Sequence, residues 1–139
     1  VSLLIGHDAA VADWVAANLG ITIAPPYAAI GVLDDGGRLA GGAVFTGWDG
    51  ANIDVTVYGP RAVSRAALRA AFAYVFVQLR CQRLTARCRR SNVVSRRFME
   101  RLGFKHEGTQ RRYWGPTRDH DAMLYGMTRD ECRWIDAGP

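Results

Sequence analysis

At 139 residues, 49% of them hydrophobic, the chain is long enough to bury one core without disulfide or metal staples, and a single domain over 1–139 is expected. Its longest apolar run, Phe72 to Val77, is far short of the ~20 residues a bilayer demands, and the start lacks the charged and apolar regions of a signal peptide, so a cytoplasmic protein with no membrane partner is expected. The net charge of +5 traces to Arg80, Arg83, Arg87, Arg89, Arg90, Arg96, Arg97 and Arg101, a density that suits an anionic ligand (a phosphorylated cofactor or a nucleic acid) unless most of them are simply solvated surface.

In chain order, Ser2 to Ile5 reads as a short edge strand. Asp8 is placed to cap a helix carrying Val11, Trp14, Val15 and Leu19 on one stripe, with Gly20 ending it. After Pro25-Pro26, a strand from Ala28 to Leu33 turns through Asp34-Asp35-Gly36-Gly37 into an antiparallel return from Arg38 to Thr46. Asp49-Gly50 marks the next turn. The strand from Asn52 to Tyr58 alternates, Ile53, Val55 and Val57 toward one face and Asp54, Thr56 and Tyr58 toward the other.

Gly59 and Pro60 stop that strand, and a helix of about four turns follows, with Leu68, Phe72, Val75, Phe76 and Leu79 on one side. Arg83 to Arg89 alternates as a strand. Ser91 or Asn92 then caps a helix in which Val94, Phe98 and Leu102 stack, ended by Gly103. Beyond Phe104 the pattern is extended from Glu107 to Trp114, polar from Gly115 to Asp119, and extended again from Ala122 to Met127. Antiparallel strands followed by helix, strand, helix and two strands predict a mixed sheet of α/β type. The stretch between Tyr58 and Arg65 is the place to expect a phosphate, because a helix start offers unpaired N–H groups and a favourable dipole. Cys81, Cys88 and Cys132 are odd in number and lack metal-ligand spacing, and His7, His106 and His120 are scattered, so no metal site is expected.

The run Asn92-x-x-Ser95-x-x-Phe98-Met99-Glu100-Arg101-Leu102-Gly103-Phe104-x-x-Glu107-Gly108, behind a helix ending Tyr74-Val75-Phe76-x-x-Leu79 and behind Gln82-Arg83-Leu84, resembles the GCN5-related N-acetyltransferase superfamily. The likeness covers roughly Ala51 to Met127 and is greatest to the branch acetylating ribosomal-protein N-termini and to small bacterial or phage-borne relatives. It implies acetyl-CoA as co-substrate, bound where the Asn52–Tyr58 and Arg83–Arg89 strands splay apart. Main-chain groups of Val55, Thr56 and Val57 would pair with the pantetheine arm. Arg61, Ala62, Val63, Ser64 and Arg65 would hold the pyrophosphate, and Asn92 with Arg96 or Arg97 would approach from the second helix. Two departures stand out: Gly59-Pro60-Arg61-Ala62-Val63-Ser64 replaces the family's glycine-rich phosphate loop, and Met99 stands where many members carry a tyrosine acid.

The reaction so implied is direct attack of an amine on a thioester, which requires a base, a polarised carbonyl and an acid. Asp54, mid-strand among apolar neighbours where desolvation would raise its pKa, is the candidate base, with a salt-bridged structural role as its rival. Tyr113 is the candidate acid, and with Trp114 it would line the acceptor pocket unless both merely pack. The amine is not legible from the sequence, and homodimerisation through exposed C-terminal strand edges is plausible. The competing class is a nucleic-acid or protein-binding module that has lost catalysis, supported by the arginine run and the altered loop. Nucleic acid is disfavoured because no aromatics interleave with those arginines.

Overall fold

The computed structural model describes residues 2–59 and 63–135. Seven strands form one mixed sheet: β1 (Ser2–Ile5), β2 (Tyr27–Leu33), β3 (Leu39–Thr46), β4 (Asn52–Tyr58), β5 (Arg83–Arg89), β6 (Lys105–Gln110) and β7 (Ala122–Thr128). Their spatial order is β1-β2-β3-β4-β5-β7-β6. Every neighbouring pair is antiparallel except β4 and β5, which run parallel through a helical crossover. This is the predicted mixed α/β architecture, and β4 alternates as its sequence requires.

Helix α1 (Asp8–Leu19) covers one face of β2–β4, burying Val11, Ala12 and Val15 against Ala29 and Val44. Two glycines let it lie close. A Cβ on Gly42 would come within 2.9 Å of Val15 Cγ2, and one on Gly31 within 3.0 Å of Val11 Cγ2. Tyr58, on the same face, meets Trp14 edge-on with ring centroids 5.3 Å apart. The expected cap is different, however. His7 holds the N-cap position without a side-chain bond, while Asp8 Oδ1 accepts from the Ala29 N–H at 3.0 Å, so this carboxylate ties the helix to β2 instead.

The opposite face carries α2 (Arg65–Ala73) and α3 (Val93–Leu102). Phe72, Val75 and Phe76 are buried there with Phe45, Ile53, Val55 and Leu84. The predicted four-turn helix is correct in extent but not in kind: Tyr74–Gln78 widens into a π-helical turn closed by the Leu79 N–H donating to Tyr74 O at 2.9 Å. Arg129 Nη1 donates to Phe76 O at 2.6 Å, satisfying a carbonyl in that turn. On α3, Asn92 is the cap, its Oδ1 accepting from the Ser95 N–H at 3.1 Å. The apolar stripe is rotated from the predicted one: Met99 and Leu102 are buried, while Val94 is 49% exposed.

β6 is shorter than the extended stretch expected through Trp114 and starts earlier. It ends at Gln110, after which the chain turns, because the buried Asp121 takes the Arg112 N–H at 2.8 Å. At the C-terminal side, Lys105 and Glu131 pair at 2.5 Å. That bond, with the Thr128 N–H, holds the Glu131 carboxyl down from 4.5 to about 2. A carboxyl whose folded value lies below its unfolded one stabilises fully above the unfolded value and loses that contribution as pH falls toward the folded one. The stability difference between wild type and Glu131→Gln, read by denaturant titration, should therefore be constant above pH ~5 and shrink between 4.5 and 2.

Candidate active site

The parallel ladder between β4 and β5 is short. It runs from Asn52↔Arg83 to Val55↔Ala86 and stops. β4 continues to Tyr58, still paired with β3 through Gly42↔Tyr58, and β5 continues to Arg89, still paired with β7 through Arg89↔Ala122. Each strand follows its own half of the sheet, so the two part beyond Val55. The resulting notch opens at the carboxyl ends of both strands, where ligands bind in open α/β sheets. Main-chain groups of β4 that would have bonded to β5 face an opening there, and an extended polar chain could satisfy them.

On the α1 side the notch widens into a hollow of about 600 Å³. Its walls are Asp54 and Thr56 from β4, Arg87 and Arg89 from β5, Tyr113 and Trp114 from the turn after β6, and residues 20–24 from the loop after α1. On the other side it meets a narrow apolar cavity of about 60 Å³, bordered by Val55, Val57, Val63, Phe98 and Met99 among others. Thus Asp54 and Tyr113, chosen from the sequence as base and acid, border one cavity, although Tyr113 arrives from a turn and not from a strand.

Asp54 is not a carboxylate alone among apolar side chains. Arg87 Nη1 donates to its Oδ2 at 2.8 Å and Asn52 Nδ2 to its Oδ1 at 3.0 Å. The bonds continue in both directions: Thr85 Oγ1 donates to Asn52 Oδ1 at 2.7 Å, Arg83 Nε to Thr85 Oγ1 at 3.1 Å, and Arg87 Nε to Gln110 Oε1 at 2.7 Å. This string crosses from β4 to β5 where the ladder ends, and it fixes the orientation of the carboxylate. Tyr113 is half exposed, packs edge-on against Trp114 with centroids 5.1 Å apart, and lies under the Arg87 guanidinium at 5.0 Å.

Of the residues expected at the cofactor, Val55 is the last residue of β4 paired with β5, Thr56 borders the hollow and Val57 the apolar cavity. Ser64 caps α2, its Oγ accepting from the Ala67 N–H at 3.1 Å, and Arg65 is the first helical residue. Arg61 and Ala62 lie outside the described residues. Asn92 caps α3 as given above. Arg96 turns inward, donating to Arg90 O at 3.1 Å and reaching Tyr125 Oη at 3.5 Å, a contact that pushes its pKa up.

The arginine run is largely internal lacing. Arg83 pairs with Glu107 at 2.5 Å, Arg87 with Asp54 at 2.8 Å and Arg90 with Asp121 at 3.6 Å. Burial pushes the Cys88 thiol up to about 11 and raises Cys81 and Cys132 as well, which makes all three poor nucleophiles. What the sequence reading missed is the contribution of β5. Arg87 and Arg89 share parity with Arg83 and Thr85, and in a parallel neighbour of β4 that parity faces the same side as Asp54.

The family model described as "Acetyltransferase (GNAT) domain" matches residues 8–105, most of the chain. The chain belongs to the GNAT acetyltransferase family. Solved structures agree on the GNAT fold. A chimera of the spermidine N-acetyltransferase SpeG from Vibrio cholerae and hSSAT superposes with a TM-score of 0.69 at 12% identity, covering 94% of this chain and 98% of that one. The ribosomal-protein-S5-alanine acetyltransferase from Vibrio fischeri gives 0.62 at 19%, covering 77% and 64%. A GCN5-related N-acetyltransferase from Brucella melitensis gives 0.62 at 29%, covering 76% of this chain and 52% of that one. No curated protein sequence matches the chain. Within this GNAT chain Met99 is 4% exposed and packs in the core.

Proposed function

We propose that the chain is a single-domain N-acetyltransferase that moves an acetyl group from acetyl-CoA to a primary amine by direct attack on the thioester. The observation that carries this reading is the parting of β4 and β5 after Val55↔Ala86. It exposes strand main chain to a ligand that can act as an added strand, beside a helix start with Arg65 at its first position.

Main-chain groups of Val55, Thr56 and Val57 hold the pantetheine arm, and an N–H among them donates to the thioester oxygen as charge develops on it. Val63, Ser64 and Arg65, with Arg61 and Ala62, hold the pyrophosphate, and Asn92 and Arg96 close the site from α3. Acetyl-CoA supplies an activated acyl carbon and a thiolate leaving group. Asp54 takes the proton released as the amine nitrogen bonds to that carbon, directly or through water. Both of its oxygens already accept one bond, and each retains a lone-pair position for this proton. Tyr113, at the mouth of the same hollow, returns a proton to the sulfur as the carbon–sulfur bond breaks. The arginine pairings weaken the rival reading as a nucleic-acid module, because several guanidiniums are already engaged with carboxylates.

Thermal melting tests the cofactor step. Ligand at 100 times its Kd stabilises by about 2.7 kcal/mol, so millimolar acetyl-CoA should raise Tm by several degrees. Free-thiol release across amine classes then tests transfer. An unchanged Tm together with no thiol release for any amine would overturn the proposal.

A further inference from the structure

The charge of the hollow points to a class of acceptor. Its walls carry two guanidiniums, Arg87 and Arg89, and one carboxylate, Asp54, with the Asp119 carboxylate 3.9 Å from Arg89. Arg87 is committed to Asp54 and Gln110. Arg89 is held more loosely: its ion pair with Asp119 Oδ2 is 3.9 Å long, outside hydrogen-bond distance, and its side chain is 36% exposed. The guanidinium is steadied by the Trp114 ring at 5.9 Å, which orients the donor fork without occupying any N–H.

Arg89 is two residues beyond Arg87 on the same face of β5, a step of about 6–7 Å along the strand. An acceptor whose amine lies at Asp54 therefore has an aromatic-backed, incompletely bonded guanidinium within a few bonds' reach. Resting on the acetyl-transfer reading above, we infer that the acceptor is a zwitterionic amine, one that carries a carboxylate on the same small molecule, and that Arg89 binds this carboxylate. A diamine of the same length would set an ammonium group, not a carboxylate, against the Arg89 guanidinium, so it should be a poorer acceptor than the matching amino acid. Tyr113 and Trp114 flank the linker between the two charged ends, and Ile21 and Ile23 face it from the loop after α1.

The test uses the purified chain and three matched series: glycine, β-alanine, 4-aminobutyrate and 6-aminohexanoate, their methylamides, and the diamines of equal chain length. At the best length, kcat/KM for the carboxylate should exceed that for the amide about tenfold and that for the diamine by more. A tenfold ratio corresponds to about 1.4 kcal/mol, within the range of one charge-assisted hydrogen bond. Arg89→Gln should bring the carboxylate-to-amide ratio close to one through KM, and Arg89→Lys should restore part of it. In parallel, titration calorimetry with the N-acetylated carboxylate, a product, reads the anion site without turnover.

Equal transfer to carboxylate, amide and diamine would overturn the inference while leaving acetyl transfer standing. Carboxylate binding that Arg89→Gln abolishes, with no transfer to any amine, would support the anion site and sink the transfer reading. Neither binding nor transfer would remove both.

Discussion

Asp54→Asn should lower kcat/KM for acetyl transfer by about 10²- to 10⁴-fold, the range expected when a positioned general base is removed. Asparagine is close in shape and can still accept from Arg87 through its amide oxygen, so the links through Arg87 to Gln110 should persist, while its NH2 faces the Asn52 Nδ2 donor and that one bond is lost. The acetyl-CoA-dependent rise in Tm should therefore be nearly that of the wild type. Stopped-assay kinetics and melting on the same preparation separate the two roles that the sequence left open. If the carboxylate only anchors Arg87, turnover will change by a few-fold at most while Tm falls. Arg87→Met is the informative companion. It leaves Asp54 with the hydrogen bond from Asn52, and a fall in rate there would arise from lost orientation of the base, not from loss of the base itself.

Gly59→Ala should destabilise the fold by about 2–4 kcal/mol and weaken acetyl-CoA binding at the same time. Gly59 ends β4 with φ +71°, a left-handed conformation that costs other residues about 1–2 kcal/mol. A Cβ there would also overlap the Ala40 carbonyl oxygen on the neighbouring strand, β3. The clash can be relieved only by moving the residue that launches the path from the notch to α2, which is where the pyrophosphate is proposed to sit. Gly37→Ala provides the control, since its φ is +77° but no atom lies within 4 Å of the added carbon. Denaturant unfolding of the two variants should give the larger loss at Gly59, the difference measuring the steric part. Equal losses would mean that the β3–β4 edge yields easily, and the coupling to cofactor affinity would then fail.

Much of this architecture was legible because it follows from local periodicity. The alternation of Ile53, Val55 and Val57 against Asp54, Thr56 and Tyr58 sets both the faces of β4 and the side on which Asp54 borders the hollow. The errors came from long-range partners. Asp8 looked like a helix cap, but its bond goes to Ala29, a strand away. Tyr113 and Trp114 looked like strand residues, yet the capture of the Arg112 N–H by Asp121 bends the chain before they are reached. That bend is what delivers both aromatics to the hollow. The π-helical turn was illegible for another reason: one residue of widening leaves the stripe of Leu68, Phe72, Val75, Phe76 and Leu79 nearly intact. Arg87 and Arg89 were visible only as part of a charge cluster until the parallel pairing with β4 gave their side of the strand a meaning.

The closeness of α1 to the sheet reaches further than packing. Gly31 and Gly42 determine how low that helix rides, and residues 20–24, which follow it directly, border the proposed acceptor hollow at a height set by the same two positions. A methyl group added at either glycine would lift the helix and raise that border, enlarging the aperture without altering a single residue that an acceptor touches. If the hollow is the acceptor site proposed above, substrate range can drift through its back wall, leaving the chemistry at the front undisturbed.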